Sequence, residues 1–395
     1  MKSKSKKLQS CIVPLLWLVI GIYGILCTYL FYMQSVQPLD YNNRYFQSDL
    51  PYHISMTIDD GWYYSFTAYI YQALYRLAGN GTALIAGFLA VVQVLSVLLT
   101  ERLLRLLFDR KKISVLTFAS ALVLNLVMAF FWPYAGSYPY VSYQAGNIWH
   151  NSTYQCMKPA AIAAVLCYLN LEKNYRQKIT LRQWLLLSGL LVLTTGIKPS
   201  FLTVFAPMLA IKLLADLCRK VSFRQVFLLG STVLPSLGVI LWQNAVLFGT
   251  ETGHGITFSP WYTFSLHANR TKLAVLCSIA FPLVVLLFSL KELFLDRRYL
   301  FFWGVTGIGF LEALCLVETG SRSRDGNFLW GYCIAIFLIF VFSFEKWLLL
   351  LKKEKHVLYY RTCFVIAGCV LAYQIFCGVC FFARLLQGET YFMAG

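Results

Sequence analysis

Long apolar runs, separated by short polar or basic stretches, fill the chain from residue 12 to residue 386. Such runs read as membrane-crossing helices, because a hydrocarbon core about 30 Å thick takes roughly 20 helical residues. The pattern predicts eleven spans, at 12–33, 81–108, 114–133, 158–171, 182–197, 200–217, 226–248, 272–290, 299–317, 329–343 and 362–386. Those at 158–171 and 182–197 are short, and call for little tilt, local thinning or shielding by neighbours. The pattern changes after the first span. The run WYYSFTAYIYQALYRLA, following Gly61, is aromatic and amphipathic, too polar to span, and predicts an interfacial helix on the outer leaflet. The fold class expected is an all-α polytopic membrane protein, one integral domain over 1–395, with 34–80 as its first extracytoplasmic loop.

Composition agrees. With 59 % hydrophobic and 13 % charged residues, a soluble domain of this length could not hide its apolar surface. Charge then sets orientation. With the N-terminus inside, the segments 1–11, 101–112, 172–182, 212–225, 291–298 and 344–361 fall on the inner side. They hold 25 of the 34 Lys and Arg against 8 acids, an excess equal to the whole net charge of +17. The basic balance therefore reports topology and contact with anionic membrane lipids, not nucleic acid. MKSKSKK ahead of the first span reads as the start of a signal anchor, without a small-residue cleavage site after it.

Familiar chemical motifs are absent from the sequence. There is no P-loop, GxGxxG or GxSxG, and no Cys/His spacing that suits zinc. The twelve cysteines are scattered, and the CxxC at Cys377 and Cys380 lies in a membrane run, where small apolar packing is the better reading.

Polar chemistry gathers instead in the outer segments, which carry four of the five histidines: His53, His150, His254 and His267. In SDLPYH, Asp49 and His53 share a face if helix runs throughout, but not the same turn if Pro51 opens it. Asp59 and Asp60 precede Gly61 and are expected to cap the interfacial helix. The loop WPYAGSYPYVSYQAGNIWHNSTYQCMKP is dense in aromatics and amides, which suit the apolar faces and hydroxyls of a sugar. Trp149, His150 and Asn151 precede Lys158 at a span start. Asn80-Gly-Thr and Asn151-Ser-Thr also fit the glycosylation acceptor pattern, a cheap match that carries no weight alone. Lys198 lies where one span turns directly into the next. Outer Lys158, Lys198, Arg322 and Arg324 run against the usual charge bias, and together suggest an anion site. In ETGSRSRDGNFLWGY, Glu318 and Arg322 are positioned to pair across a glycine-permitted turn. Arg322 and Arg324, two apart, would face one way in an extended segment as a phosphate fork, held by Asp325 and Asn327. Glu251, His254 and Trp261 are lesser candidates.

Taken together these features resemble the GT-C-type integral membrane glycosyltransferases: an inside N-terminus, a longest outer loop after the first span holding an acid, and basic residues on later outer loops. SDLPYH, WHNSTYQCMKP, IKPSFLTVFAP and ETGSRSRDGNFLWGY also look like motifs of bacterial membrane proteins of surface-polysaccharide gene clusters. The resemblance implies a multi-pass bacterial plasma-membrane enzyme with a polyprenyl-phosphate-linked sugar donor and a glycan or lipid acceptor. It maps the general base or metal ligand onto Asp49, with a divalent metal (Mg or Mn) as the conceivable cofactor. It maps the donor-phosphate contacts onto Lys198, Arg322 and Arg324. Substrate contacts are expected from His53, Trp149, His150, Asn151, Lys158, Glu318, Asp325 and Asn327. The chain departs from that family in lacking an adjacent acidic pair at Asp49 and a soluble domain. The alternatives are a lipid-linked glycan transporter or flippase, which would want inverted repeats and interrupted helices, a polysaccharide polymerase or ligase, and a membrane O-acyltransferase.

Overall fold

The computed structural model describes residues 2–40, 45–131, 145–249, 255–268, 270–352 and 357–389. Glu251, His254, His356 and most of the tyrosine-rich stretch after Trp132 lie outside them. The helices are α1 (Lys2–Ser35), α2 (Leu50–Ile58), α3 (Phe66–Leu77), α4 (Ala83–Leu107), α5 (Val115–Leu124), α6 (Ser152–Glu172), α7 (Leu181–Ile197), α8 (Ser200–Cys218) and α9 (Phe223–Gly230). They continue with α10 (Leu234–Phe248), α11 (Tyr262–His267), α12 (Thr271–Ser278), α13 (Ala280–Phe288), α14 (Leu290–Leu295), α15 (Arg297–Cys315), α16 (Leu329–Leu350) and α17 (Val357–Leu386). Two three-residue strands, β1 (Ile256–Phe258) and β2 (Leu316–Glu318), pair antiparallel with Ile256 opposite Glu318.

Among the described residues, six helices are long and apolar enough to cross a membrane: Pro14–Ser35, Ala83–Leu107, Ser200–Cys218, Phe223–Phe248, Leu329–Leu350 and Val357–Leu386. A seventh candidate is the pair α12 and α13, bent by 68°. Helices α5 and α7 are apolar but short. Helices α6 and α15 have 21 and 19 residues but carry more polar side chains.

Two expected spans differ from the sequence reading. The run 114–133 is not one helix: α5 ends at Leu124, and the chain from Asn125 to Phe131 is mostly irregular. The run 272–290 breaks at Ile279. Exposed backbone polar groups are costly in hydrocarbon, so such breaks persist only where protein satisfies them. Gln374 of α17, fully buried, does this for both. Its Nε2 donates to the Met128 carbonyl (3.3 Å) and the Cys277 carbonyl (3.1 Å), and its Oε1 accepts from the Phe281 N–H (3.0 Å). Tyr373 OH donates to the Phe131 carbonyl at 2.9 Å. Gly378, one turn on, admits the Leu126 carbonyl so closely that a Cβ there would sit 1.8 Å from its oxygen.

Helix α16 forms the centre. It is apolar all round and buried from Gly331 to Lys346, packed against α4, α6, α8, α13, α15 and α17, as a helix without a polar face must be. Around it the long helices alternate in direction. Asn151, Lys198 and Phe328 stand at one end of α6, α7 and α16, where α15 leads into β2. Glu172, Asp296 and Leu350 stand at the other end. At 1.5 Å per residue the two ends are about 30 Å apart, the thickness of a hydrocarbon core.

Candidate functional site

The first end brings together residues from four separate connections. Asp49 occupies the N-cap position of α2 with Pro51 in the first turn, where a missing N–H is tolerated. The His53 N–H donates to the Asp49 carbonyl at 3.0 Å, so both residues belong to one turn and Pro51 does not separate them. The Asp49 N–H donates to the His150 carbonyl at 2.9 Å, which fastens the first loop to the second. Gln34, at the end of α1, donates to the Trp149 carbonyl from the same side (3.3 Å).

The Asp49 carboxylate makes no cap bond to its own helix. Its Oδ2 accepts from Asn151 Nδ2 at 2.7 Å. Asn151 is itself the N-cap of α6: its Oδ1 accepts from the Tyr154 N–H (2.9 Å) and from Thr153 Oγ1 (2.9 Å). That cap fixes which end of the amide faces Asp49. Lys198 Nζ approaches the same Oδ1 at 3.4 Å and Thr153 Oγ1 at 3.3 Å, and lies 4.8 Å from the centre of the Trp330 ring. The amide therefore stands between a carboxylate and an ammonium. Asn151 is also buried, so the acceptor pattern there is not open to a glycan in the folded chain.

Burial dominates the electrostatics. It pushes Asp49 up to about 6, against the Asn151 hydrogen bond and the Lys198 charge that pull it down, while Asp325 adds to the rise. Burial pulls Lys198 down to about 8; Asp49, Glu318 and Asp325 oppose this and Arg322 reinforces it. His53 is pulled down to about 3 by burial, Lys198 and Arg322, so it is neutral. Its Nδ1 bonds to Tyr64 OH (3.1 Å), and its buried Nε2 has no hydrogen-bond partner among the described residues. Tyr64 is pushed up to about 12 by burial; Arg322 lowers it and Asp49 raises it. These groups sense one another's charge, which brings Arg322 and Asp325 of the last connection into the same field as Asp49.

That connection is not the extended fork expected. Gly320 takes a φ of +79°, and Gly320–Arg322 forms a 3-10 turn. Glu318 and Arg322 do pair across it, at 3.7 Å, and Arg322 also meets Asp325 at 3.1 Å. The turn separates the two arginines: Arg324 is exposed and has no ion pair among the described residues. Asn327 does not hold a fork either; its Nδ2 donates to Glu318 Oε2 at 2.6 Å. Both acids thus serve Arg322, whose side chain keeps 31 % of its surface open.

Other sequence candidates lie elsewhere. Lys158 is buried, with Nζ on Asn147 Oδ1 and over the Phe337 ring (3.9 Å), while Asn147 caps the carbonyls of Leu124 and Val127. It supports the irregular stretch after α5 and is not grouped with the other cations. Trp149 packs on Phe382 (4.7 Å between ring centres), and its carbonyl also accepts from Gln155. The His150 ring lies 5.6 Å from that of Trp330. Trp261 has a left-handed backbone and packs on Phe264 and Phe310. Asp59 closes α2 and Ser65 begins α3, so neither Asp59 nor Asp60 caps the interfacial segment. Helix α3 buries Thr67, Ala68 and Tyr71 and exposes Tyr69 and Leu77. Sequence reasoning missed Tyr64, Thr153 and Trp330. Thr153 was signalled by its place two residues after Asn151; the aromatics were hidden among many others.

Among the described residues no group of three or more His, Cys, Asp and Glu is placed to hold a metal ion. Asp49 already accepts from Asn151 and lies in the field of the Lys198 ammonium, a poor donor set for a divalent cation.

Comparison with protein-family models, with curated proteins and with solved structures finds no match for this chain.

Proposed function

We propose that this chain is a multi-pass membrane glycosyltransferase, similar in plan to the GT-C enzymes. It moves a sugar from a polyprenyl-phosphate donor to an envelope glycan or lipid-linked acceptor. In this reading eleven segments cross a bacterial plasma membrane, the short ones shielded within the bundle. The N-terminus is inside, the Asp49 end faces outward, and α3 lies along the outer leaflet. The observation that carries it is the bridge through Asn151 between Asp49 and Lys198, with Arg322 in the same field.

The chemistry follows from those charges. Asp49, ionised above about pH 6, takes the proton of the acceptor hydroxyl as its oxygen bonds to the anomeric carbon. The bond from that carbon to the donor phosphate oxygen breaks, and the electron pair leaves on the lipid phosphate. Lys198 and the open face of Arg322 stabilise that negative charge. Lys198 is the less committed cation, because its contacts to Asn151 and Thr153 are long. Neutral His53, with Nε2 unpartnered among the described residues, is placed to bond a sugar hydroxyl.

The bend between α12 and α13 and the irregular stretch after α5 favour a transporter, since interrupted helices recur there. Membranes carrying wild type, Asp49→Asn or Lys198→Ala, supplied with a labelled polyprenyl-phosphate sugar, separate the readings. Asp49→Asn keeps an acceptor for Asn151 but removes the base, and lowers transfer by about a hundredfold or more. Undiminished transfer by folded Asp49→Asn and Lys198→Ala proteins overturns the assignment.

A further inference from the structure

The opposite end of the bundle carries a cavity of about 880 Å³ that the proposed transfer does not use. It opens where α6 ends, α15 begins and α16 ends, about 30 Å from Asn151 along α6. Six of its lining residues are basic, and they fall into two sets. Lys346, Arg298 and Arg176 are committed: Lys346 to Asp296 (2.5 Å) and Glu345 (3.3 Å), Arg298 to Asp296 (3.4 Å), and Arg176 to Asp216 (2.8 Å). Lys173, Arg297 and Lys352 line the same cavity and have no ion pair among the described residues. The paired set buttresses the wall, and the other three cations line the cavity with Glu172, an acid that Lys212 meets at 3.9 Å. Like charges held around one cleft repel each other and attract an anion.

The rim is apolar. Leu295 lines the cavity at 82 % exposure, and Phe294 beside it is 74 % exposed. A soluble phosphate has no use for such a rim, whereas a phospholipid uses cation and apolar surface together. The cavity volume also suits a headgroup, and basic pockets between helices at the inner face are places where phosphate headgroups bind.

We propose that this cavity is a site for the phosphate headgroup of an anionic phospholipid, contacted by Lys173, Arg297 and Lys352, with acyl chains along Phe294 and Leu295. It is independent of the reading of the Asp49 end. Purified full chain in neutral detergent is titrated with short-chain phosphatidylglycerol, short-chain phosphatidylcholine or inorganic phosphate, and bound species are counted by native mass spectrometry. Phosphatidylglycerol binds preferentially, and Arg297→Gln/Lys352→Gln weakens it by about tenfold or more. Both side chains are exposed, so the variant folds; Asp49→Asn binds as wild type. Lys220→Gln/Arg224→Gln removes equal charge near the same end without touching the cavity, and leaves binding unchanged. Equal retention of both lipids, or equal loss in the two double variants, overturns the proposal. Displacement of phosphatidylglycerol by inorganic phosphate at matched concentration assigns the cavity to a soluble phosphate and overturns the lipid reading.

Discussion

Asn151 Nδ2 donates to Asp49 Oδ2 at 2.7 Å, joining residues 102 positions apart. The bond is oriented by the cap that the same amide makes on α6. Asn151→Asp separates the two roles. Aspartate caps as well as asparagine, so α6 is retained, but a second carboxylate beside Asp49 raises its pKa further. The expected result is a retained α6 with a lower melting temperature than wild type at pH 7, a large loss of transfer there and partial recovery at higher pH. Asn151→Ala instead loses about 1 kcal/mol from the cap alone. Full transfer by Asn151→Asp at pH 7 would remove Asn151 from the site.

Transfer has a bell-shaped pH dependence. It rises as Asp49 ionises through about 6 and falls as Lys198 loses its proton through about 8. Lys198→Arg keeps its charge and extends the alkaline limb. Stability runs the other way on the acid side. Asp49 is raised above its ordinary value of 3.8, so its contribution is fully present below that pH and is lost as pH rises through about 6. Asp49→Asn is therefore more resistant to heat than wild type at pH 8, with the gap closing towards pH 4. An equal melting temperature at pH 8 contradicts the buried environment of this carboxylate.

The two arginines of the last connection differ in consequence. Arg322 satisfies Glu318 and Asp325, so Arg322→Ala leaves two acids facing the site and lowers transfer by about a hundredfold. Arg324 is exposed, and Arg324→Ala changes stability by less than about 0.5 kcal/mol. Parallel rates for the two variants, measured with the same donor, would restore the symmetrical fork.

The positions of Asp49, Asn151, Lys198 and Arg322 were legible because a polar residue at the end of an apolar run stands out. Their mutual geometry was not, since contacts between distant segments leave no local pattern. Tyr64 and Trp330 were hidden by composition: a chain with 25 Tyr and 10 Trp gives no reason to single out one. The breaks after Leu124 and at Ile279 were invisible for a different reason. Apolar side chains look alike in a helix and in an irregular run, and only the backbone partners differ. Gln374, a lone amide in the run 362–386, was the available signal for both. The cavity between α6, α15 and α16 leaves no mark in the inner basic excess, because pairing decides which cations remain open.

That amide gives the sharpest test of the fold. Gln374 holds the carbonyls of Met128 and Cys277 and the N–H of Phe281, in a region where water is not at hand to replace it. Gln374→Leu fills a similar volume but orphans the Phe281 N–H, at a cost of about 1–3 kcal/mol for that group alone. Gln374→Glu keeps the acceptor and loses the amide donor, so it also destabilises, less so at low pH where the carboxyl is protonated and donates again. Gly378→Ala acts at the same contact by sterics. Its Cβ would meet the Leu126 carbonyl at 1.8 Å, and because that neighbour is backbone, the stretch after α5 must move. Overpacking of this kind costs about 1–3 kcal/mol or more. Heating the purified variants in one detergent, with Gly189→Ala on the open surface of α7 as a neutral control, ranks them. A Gly378→Ala protein as stable as that control would mean that α17 does not press on the broken span as described.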